Sequence, residues 1–132
     1  MTLWDPASTE LIRLLAKTAR GPRREGIYAL WLTVRVTQDL LLSPPLAERA
    51  HRRRVQELEH RLATLTLPPQ LRRALAAALL HLKTPRAETA ADVLGQLAAP
   101  ARDGAGPEAG EAISAAARVA RERTRALRTS RP

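Results

Sequence analysis

GIYALWLTVRVTQDLLL, residues 26–42, carries apolar side chains on nearly every face of a helix. At 3.6 residues per turn, one apolar stripe contains Ile27, Leu30, Trp31, Val34 and Leu41, and a second contains Tyr28, Leu32, Val36 and Leu40. A helix that is apolar on several sides needs neighbours on several sides. The segment therefore predicts a central, enclosed helix, with the Trp31 ring buried as one of its anchors.

The alternative interpretation of this segment is a membrane span. Three polar residues, Arg35, Gln38 and Asp39, interrupt the apolar run. Because an arginine or aspartate near the middle of a bilayer is strongly disfavoured, we expect a core helix and no transmembrane segment. Arg35 and Asp39 are four residues apart, so we expect them to form an ion pair on one side of the helix.

Proline and glycine divide the sequence around this segment into short helices. Breaks occur at Gly21-Pro22, Ser43-Pro44-Pro45, Leu67-Pro68-Pro69 and Thr84-Pro85, where a proline ends one helix or starts the next. The apolar spacing predicts helices over about residues 6–19, 26–42, 46–65, 69–83 and 85–98, with no strand. We thus predict an all-α fold, a compact bundle of about five short helices joined by Pro-rich turns.

The composition changes after residue 98. Residues 99–107, APARDGAGP, have no apolar periodicity and predict a flexible linker. A further helix is predicted from Glu108, with a thin apolar stripe and arginines towards its end. We therefore predict a helical bundle domain over 1–98, a flexible linker over 99–107 and a tethered basic C-terminal helix over 108–132. Truncation after Pro107 should then leave a folded bundle.

The overall charge points to an acidic partner. The chain has 132 residues, 22 of them Lys or Arg and 13 Asp or Glu, which gives a net charge of +9, and it has no cysteine. The excess of positive charge favours polyanions or acidic protein surfaces. The absence of cysteine excludes disulfides and thiolate chemistry and suits a reducing compartment, so we expect a cytoplasmic location.

Three arginine clusters are candidate binding residues. They comprise Arg49, Arg52, Arg53 and Arg54 in the third helix, Arg72 and Arg73 in the fourth, and Arg118, Arg121, Arg125 and Arg128 in the last. Such clusters can follow a phosphate backbone without reading its sequence. Since the chain has no phenylalanine and its Trp and Tyr residues are predicted in the core, base stacking is not expected. An alternative is that these arginines form a solvated surface.

Metal and enzyme chemistry are poorly supported. Glu48 and His51, and again Glu57 and His60, have the Glu-x-x-His spacing of di-iron helical proteins. Both pairs lie on one helix, about 13.5 Å apart along its axis, so they cannot share one dinuclear site. No phosphate-binding loop or catalytic triad pattern accompanies them. We expect no metal, no cofactor and no catalytic activity.

The layout favours an interaction protein. The main hypothesis is a small accessory or scaffold subunit that docks onto a larger protein assembly or onto itself through helical surfaces. The second is sequence-independent binding of RNA or DNA through the arginine-rich helix faces.

Overall fold

The computed structural model describes residues 5–42 and 46–129, with side chains from Ser8 onwards. All regular structure in this range is helical, which confirms the all-α prediction for the described part of the chain. The helices are α1 (Asp5–Lys17), α2 (Pro22–Gln38), α3 (Glu48–Ala63), α4 (Pro69–Leu82), α5 (Ala87–Ala105) and α6 (Pro107–Thr129), with a 3₁₀ turn at Asp39–Leu41. The predicted Ser43-Pro44-Pro45 break and the last residues of the C-terminal segment, 130–132, lie outside the described residues. No helix of the described ranges has the length and apolarity needed to cross a membrane.

α2 is the central helix and contacts each of the other five. Ile27, Leu30 and Val34 are completely or almost completely buried along it, because α1 and α5 pack against the same stretch. The helix ends at Gln38, four residues before the predicted end, and the chain tightens into the 3₁₀ turn. Burial on several sides explains why this segment can be apolar nearly all round.

The predicted flexible linker is wrong for residues 99–105, which continue α5. Pro100 lies inside the helix and leaves the carbonyl of Gln96, one turn earlier, without its helical donor. Gln96 is exposed, so water can satisfy that carbonyl. Ala101 and Ala105 are buried beyond the proline, and this packing keeps the segment helical. Only Gly106, with a φ of 101°, separates α5 from α6.

α6 packs along α5 as an antiparallel hairpin and belongs to the core. Its buried side chains are almost all small: Ala109, Ala112, Ile113, Ala116, Ala117 and Ala120. Gly110 lies against Arg102, and a Cβ at that glycine would be 2.8 Å from the Arg102 Cβ. Small residues let the two helix axes approach closely. The thin apolar stripe packs against α5, so α6 is not a tethered helix.

Side chains from neighbouring helices satisfy the carbonyls at several helix C-termini. Arg24, in the first turn of α2, donates to the carbonyls of Leu15 and Thr18 at the end of α1. Arg23 donates to the carbonyl of Ala105, 3.2 Å away at the end of α5. The last carbonyls of a helix lack intrahelical donors and carry partial negative charge. Arg23 and Arg24 therefore hold three helices together.

Two further pairs tie α2 and α4 to the turn after α3. The Glu25 carboxylate accepts the backbone N–H of Thr66 at 3.1 Å. Arg72 donates to the carbonyl of Leu65 at 2.7 Å. Within α1, Arg13 hydrogen-bonds to Glu10, and this bond lowers the pKa of the Glu10 carboxyl.

Candidate binding groove

α3 is packed on one side only. Its buried residues, His51, Val55, Leu58 and Leu62, form a single stripe that faces α2 and α4. The remaining positions of the helix are mostly exposed and charged. Because a helix packed through one narrow stripe leaves a furrow on each side, α3 forms one wall of two surface grooves.

The larger groove lies between α2 and α3 and has a volume of about 260 Å³. Its lining residues are Trp31, Leu32, Arg35, Val36, Arg54, Glu57, Leu58 and Arg61. The side chains of Trp31, Leu32 and Val36 are partly buried, so a portion of each faces solvent. This α2–α3 groove therefore combines an apolar floor with a charged rim.

The rim of the α2–α3 groove carries three arginines, and its ion pairs differ from those predicted. Asp39 pairs with Arg54 on α3 at 2.5 Å, so the predicted pair between Arg35 and Asp39 is wrong. The 3₁₀ turn, which begins at Asp39, takes its carboxylate off the regular helix. Arg35 makes no ion pair with any described residue. Among the described residues, the Arg61 guanidinium makes one hydrogen bond, a long one of 3.4 Å to the Tyr28 hydroxyl.

α2 and α3 run antiparallel along the groove. Arg54 lies beside Asp39 at one end, and Arg61 lies beside Tyr28 at the other. Arg35 is on the rim towards the Asp39 end. Positive charge thus stands at both ends of the apolar floor.

Trp31 occupies the floor of the α2–α3 groove. The sequence predicted a buried Trp31, whereas the residue is only partly buried in the structure. Its ring stacks on Tyr28, with centroids 6.2 Å apart and an interplanar angle of 25°. Its Nε1–H is shielded from solvent and has no acceptor among the described residues. A shielded donor without an acceptor is destabilising, and such groups are rare in folded proteins.

The smaller groove lies between α3 and α4, with a volume of about 140 Å³. Its lining includes Leu62, Leu75 and Leu79. The Arg72 side chain, which also lines it, donates to the Leu65 carbonyl. This groove therefore has fewer charged side chains without a partner among the described residues than the α2–α3 groove.

All ten arginines predicted as binding residues are exposed. They are Arg49, Arg52, Arg53, Arg54, Arg72, Arg73, Arg118, Arg121, Arg125 and Arg128. Two of them form long surface ion pairs, Arg52 with Glu48 at 3.7 Å and Arg128 with Glu88 at 3.8 Å. α3 packs on α2 and α4, whereas α6 packs mainly on α5 and α1, so the clusters lie on helices with mostly different neighbours.

The Glu-x-x-His pairs of α3 do not form a common site. His51 is buried, and its Nε2–H donates to the carbonyl of Leu82 at 2.6 Å, whereas His60 and both glutamates are exposed. In the described ranges, no three His, Cys, Asp or Glu side chains are grouped to hold a metal ion. The His51 side chain instead attaches α3 to the end of α4.

The arginine clusters identified in the sequence include only Arg54 from the groove. Arg35 and Arg61 were not predicted as binding residues, because each lies outside the three arginine clusters. A signal was present: Arg35 lies between Leu32 and Val36 on α2, so the exposed edge of the central helix mixes apolar residues with a charge. Comparison of the chain with protein-family models, curated proteins and solved structures finds no match.

Proposed function

We propose that the protein is a non-enzymatic helical accessory or scaffold subunit that docks onto a partner protein through the α2–α3 groove. The observation that carries this proposal is the partly exposed apolar floor of Trp31, Leu32 and Val36 beneath a rim where Arg35 has no ion-pair partner among the described residues. Tryptophan and arginine are the residues most enriched where protein interfaces have their binding energy. A cytoplasmic location is part of the same proposal, since a cysteine-free chain suits a reducing compartment.

The surroundings of the groove support a docking role. The described ranges form one hydrophobic core that includes residues from α1 to α6, so the groove lies on a well-supported helical scaffold. A rigid scaffold reduces the entropy lost when a partner binds. The bundle supplies that support, and α3 supplies the exposed wall.

The experiment compares two substitutions that each replace an apolar residue with aspartate. Val36→Asp places a carboxylate on the groove floor, whereas Leu80→Asp places one on α4, where Leu80 is 68% exposed and outside the groove. Tagged full-length variants are expressed in the native source, and associated proteins are quantified by mass spectrometry. A partner recovered with the unmodified chain and with Leu80→Asp, but depleted about tenfold with Val36→Asp, is the expected result.

Folding must be monitored in the same experiment, because Val36 is partly buried. Circular dichroism at increasing temperature reports whether each variant retains a cooperative transition. Should Val36→Asp unfold, Arg35→Asp on the exposed rim replaces it. Equal recovery of the same partners by folded groove variants and by Leu80→Asp contradicts docking through this groove.

Nucleic-acid binding is the second candidate, and the exposed arginines of α6 favour it. Arg118, Arg121 and Arg125 have no ion pair with another described residue. Retention on duplex DNA or RNA across a salt series tests this candidate, since each phosphate contact contributes about −0.9 to the slope of log affinity against log salt on duplex DNA. Neutral substitutions at Arg52, Arg53 and Arg54 should flatten that slope. Absence of binding at low salt removes the candidate.

A further inference from the structure

We infer that the occupant of the α2–α3 groove is an acidic amphipathic helix of a partner protein, two turns of which lie along the groove. This inference rests on the proposed function and adds the chemistry of the partner. It follows from the charges on the rim, the spacing of those charges and the nature of the floor.

The charges on the groove rim favour an acidic partner. The groove lining contains Arg35, Arg54 and Arg61 against a single carboxylate, Glu57. Asp39 neutralises Arg54 but reaches neither of the other two arginines. A partner that brings carboxylates to Arg35 and Arg61 would meet guanidinium groups that have no ion pair with a described residue.

The spacing of Arg35 and Arg61 along the groove matches that of residues on a helix. Arg61 lies at the Tyr28 end of the groove. Arg35 also lines the groove and is seven residues after Tyr28 on α2. At a rise of 1.5 Å per residue, seven residues correspond to about 10.5 Å, or two helical turns. Carboxylates seven positions apart on a partner helix have the same separation. Apolar side chains three and four positions after the first carboxylate then face the floor.

The floor of the groove is apolar. Trp31, Leu32 and Val36 offer partly exposed apolar surface between the charged ends. The Trp31 ring stacks on Tyr28, with centroids 6.2 Å apart, and adds an aromatic surface to this floor. An apolar floor between two positive ends fits an amphipathic peptide better than a uniformly charged backbone.

The test is selection from a displayed library of random peptides about four helical turns long, with the full-length protein immobilised. Enriched peptides should carry Asp or Glu seven positions apart with apolar residues between them. Their affinity should fall at least about tenfold for the double variant Arg35→Gln, Arg61→Gln. It should be nearly unchanged for the double variant Arg118→Gln, Arg121→Gln, which removes the same charge from α6.

The other outcomes separate this inference from the proposed function. Neutral or basic peptides whose binding is lost with Val36→Asp but kept with Arg35→Gln, Arg61→Gln overturn the acidic partner and leave groove docking intact. Short duplex DNA that displaces the peptides and depends equally on Arg35 and Arg61 assigns the groove to nucleic acid and overturns the inference. Enrichment of no peptide, or only of peptides insensitive to Val36→Asp, contradicts both.

Discussion

The Nε2–H of His51 on α3 donates to the carbonyl oxygen of Leu82 at the end of α4, with 2.6 Å between the two atoms. Thirty-one residues separate the two along the chain. α3 has fewer contacts with the rest of the molecule than α5 or α6, so this bond is one of its few specific attachments. Because α3 forms one wall of the α2–α3 groove, the histidine helps to define the groove from a distance.

Replacement of this histidine tests the attachment of α3. His51→Ala removes a buried hydrogen bond, leaves the Leu82 carbonyl without its donor and creates a cavity, so the free energy of unfolding should fall by about 2–4 kcal/mol. His60→Ala, on the same helix but exposed, is the matched control and should change it by less than about 0.5 kcal/mol. Urea denaturation followed by circular dichroism measures both. Equal effects of the two substitutions would show that His51 does not anchor α3.

Arg24 should stabilise the protein as a cap on α1. Arg24→Ala leaves the carbonyls of Leu15 and Thr18 without this donor, and because the site is exposed the loss should be modest, about 0.5–1.5 kcal/mol. Arg20→Ala serves as the control, since Arg20 is exposed and makes no hydrogen bond or ion pair in the described ranges. Denaturant midpoints of the two variants provide the comparison. A loss that is no larger for Arg24→Ala than for Arg20→Ala contradicts the capping role.

The close approach of α5 and α6 predicts opposite effects for two glycines. Gly110→Ala would place a Cβ 2.8 Å from the Arg102 Cβ and 3.1 Å from its Cα, so the hairpin must open and about 1–3 kcal/mol should be lost. In Gly95→Ala the new Cβ meets only the end of the flexible Arg121 side chain, at 3.2 Å. That substitution should stabilise the helix by up to about 1 kcal/mol. Thermal unfolding of the two variants distinguishes them, and stabilisation by Gly110→Ala would contradict the tight hairpin.

Removal of α6 should unfold the protein. A chain that ends at Gly106 exposes the faces of α5 and α1 that α6 covers, including the completely buried Ala101. Since domains are stable by only about 5–15 kcal/mol, we expect no cooperative transition in calorimetry. A chain that ends at Ala126 keeps the buried residues of α6 up to Thr124 and should unfold cooperatively. A cooperative transition of the shorter chain would restore the separate domain over 1–98 that the sequence predicts.

The sequence predicted the amphipathic helices better than the contacts between them. The apolar residues at helical spacing on α4, Leu71, Leu75, Ala78, Leu79 and Leu82, are all buried. Leucines at helical spacing predict the buried face of a helix from the local sequence alone, because a leucine stabilises a protein mainly by being buried. Residues 99–105 were mistaken for a linker because alanine, glycine and proline resemble a loop in composition. Their helical packing depends on an equally small surface of α6, which local sequence does not reveal.

The arginines show the same limit for the candidate site. Exposure of the ten clustered arginines followed from helical periodicity. The roles of Arg23 and Arg24 as caps did not, because they depend on how α2 packs against the ends of other helices, and the Ala105 carbonyl is 82 residues from Arg23. Arg35 and Arg61 line the same groove only because α2 and α3 pack side by side. Clustering in sequence therefore identified surface charge but not the groove.

Site-specific photo-crosslinking in the native source tests groove docking most directly. A photoreactive residue replaces Glu57 on the rim of the α2–α3 groove or, as a control, the exposed Gln96 on α5. We predict a discrete crosslinked protein from position 57 that is absent from position 96 and is lost when Val36→Asp is added. Crosslinks from position 57 only to nucleic acid, or the same protein from both positions, would contradict a protein-binding groove between α2 and α3.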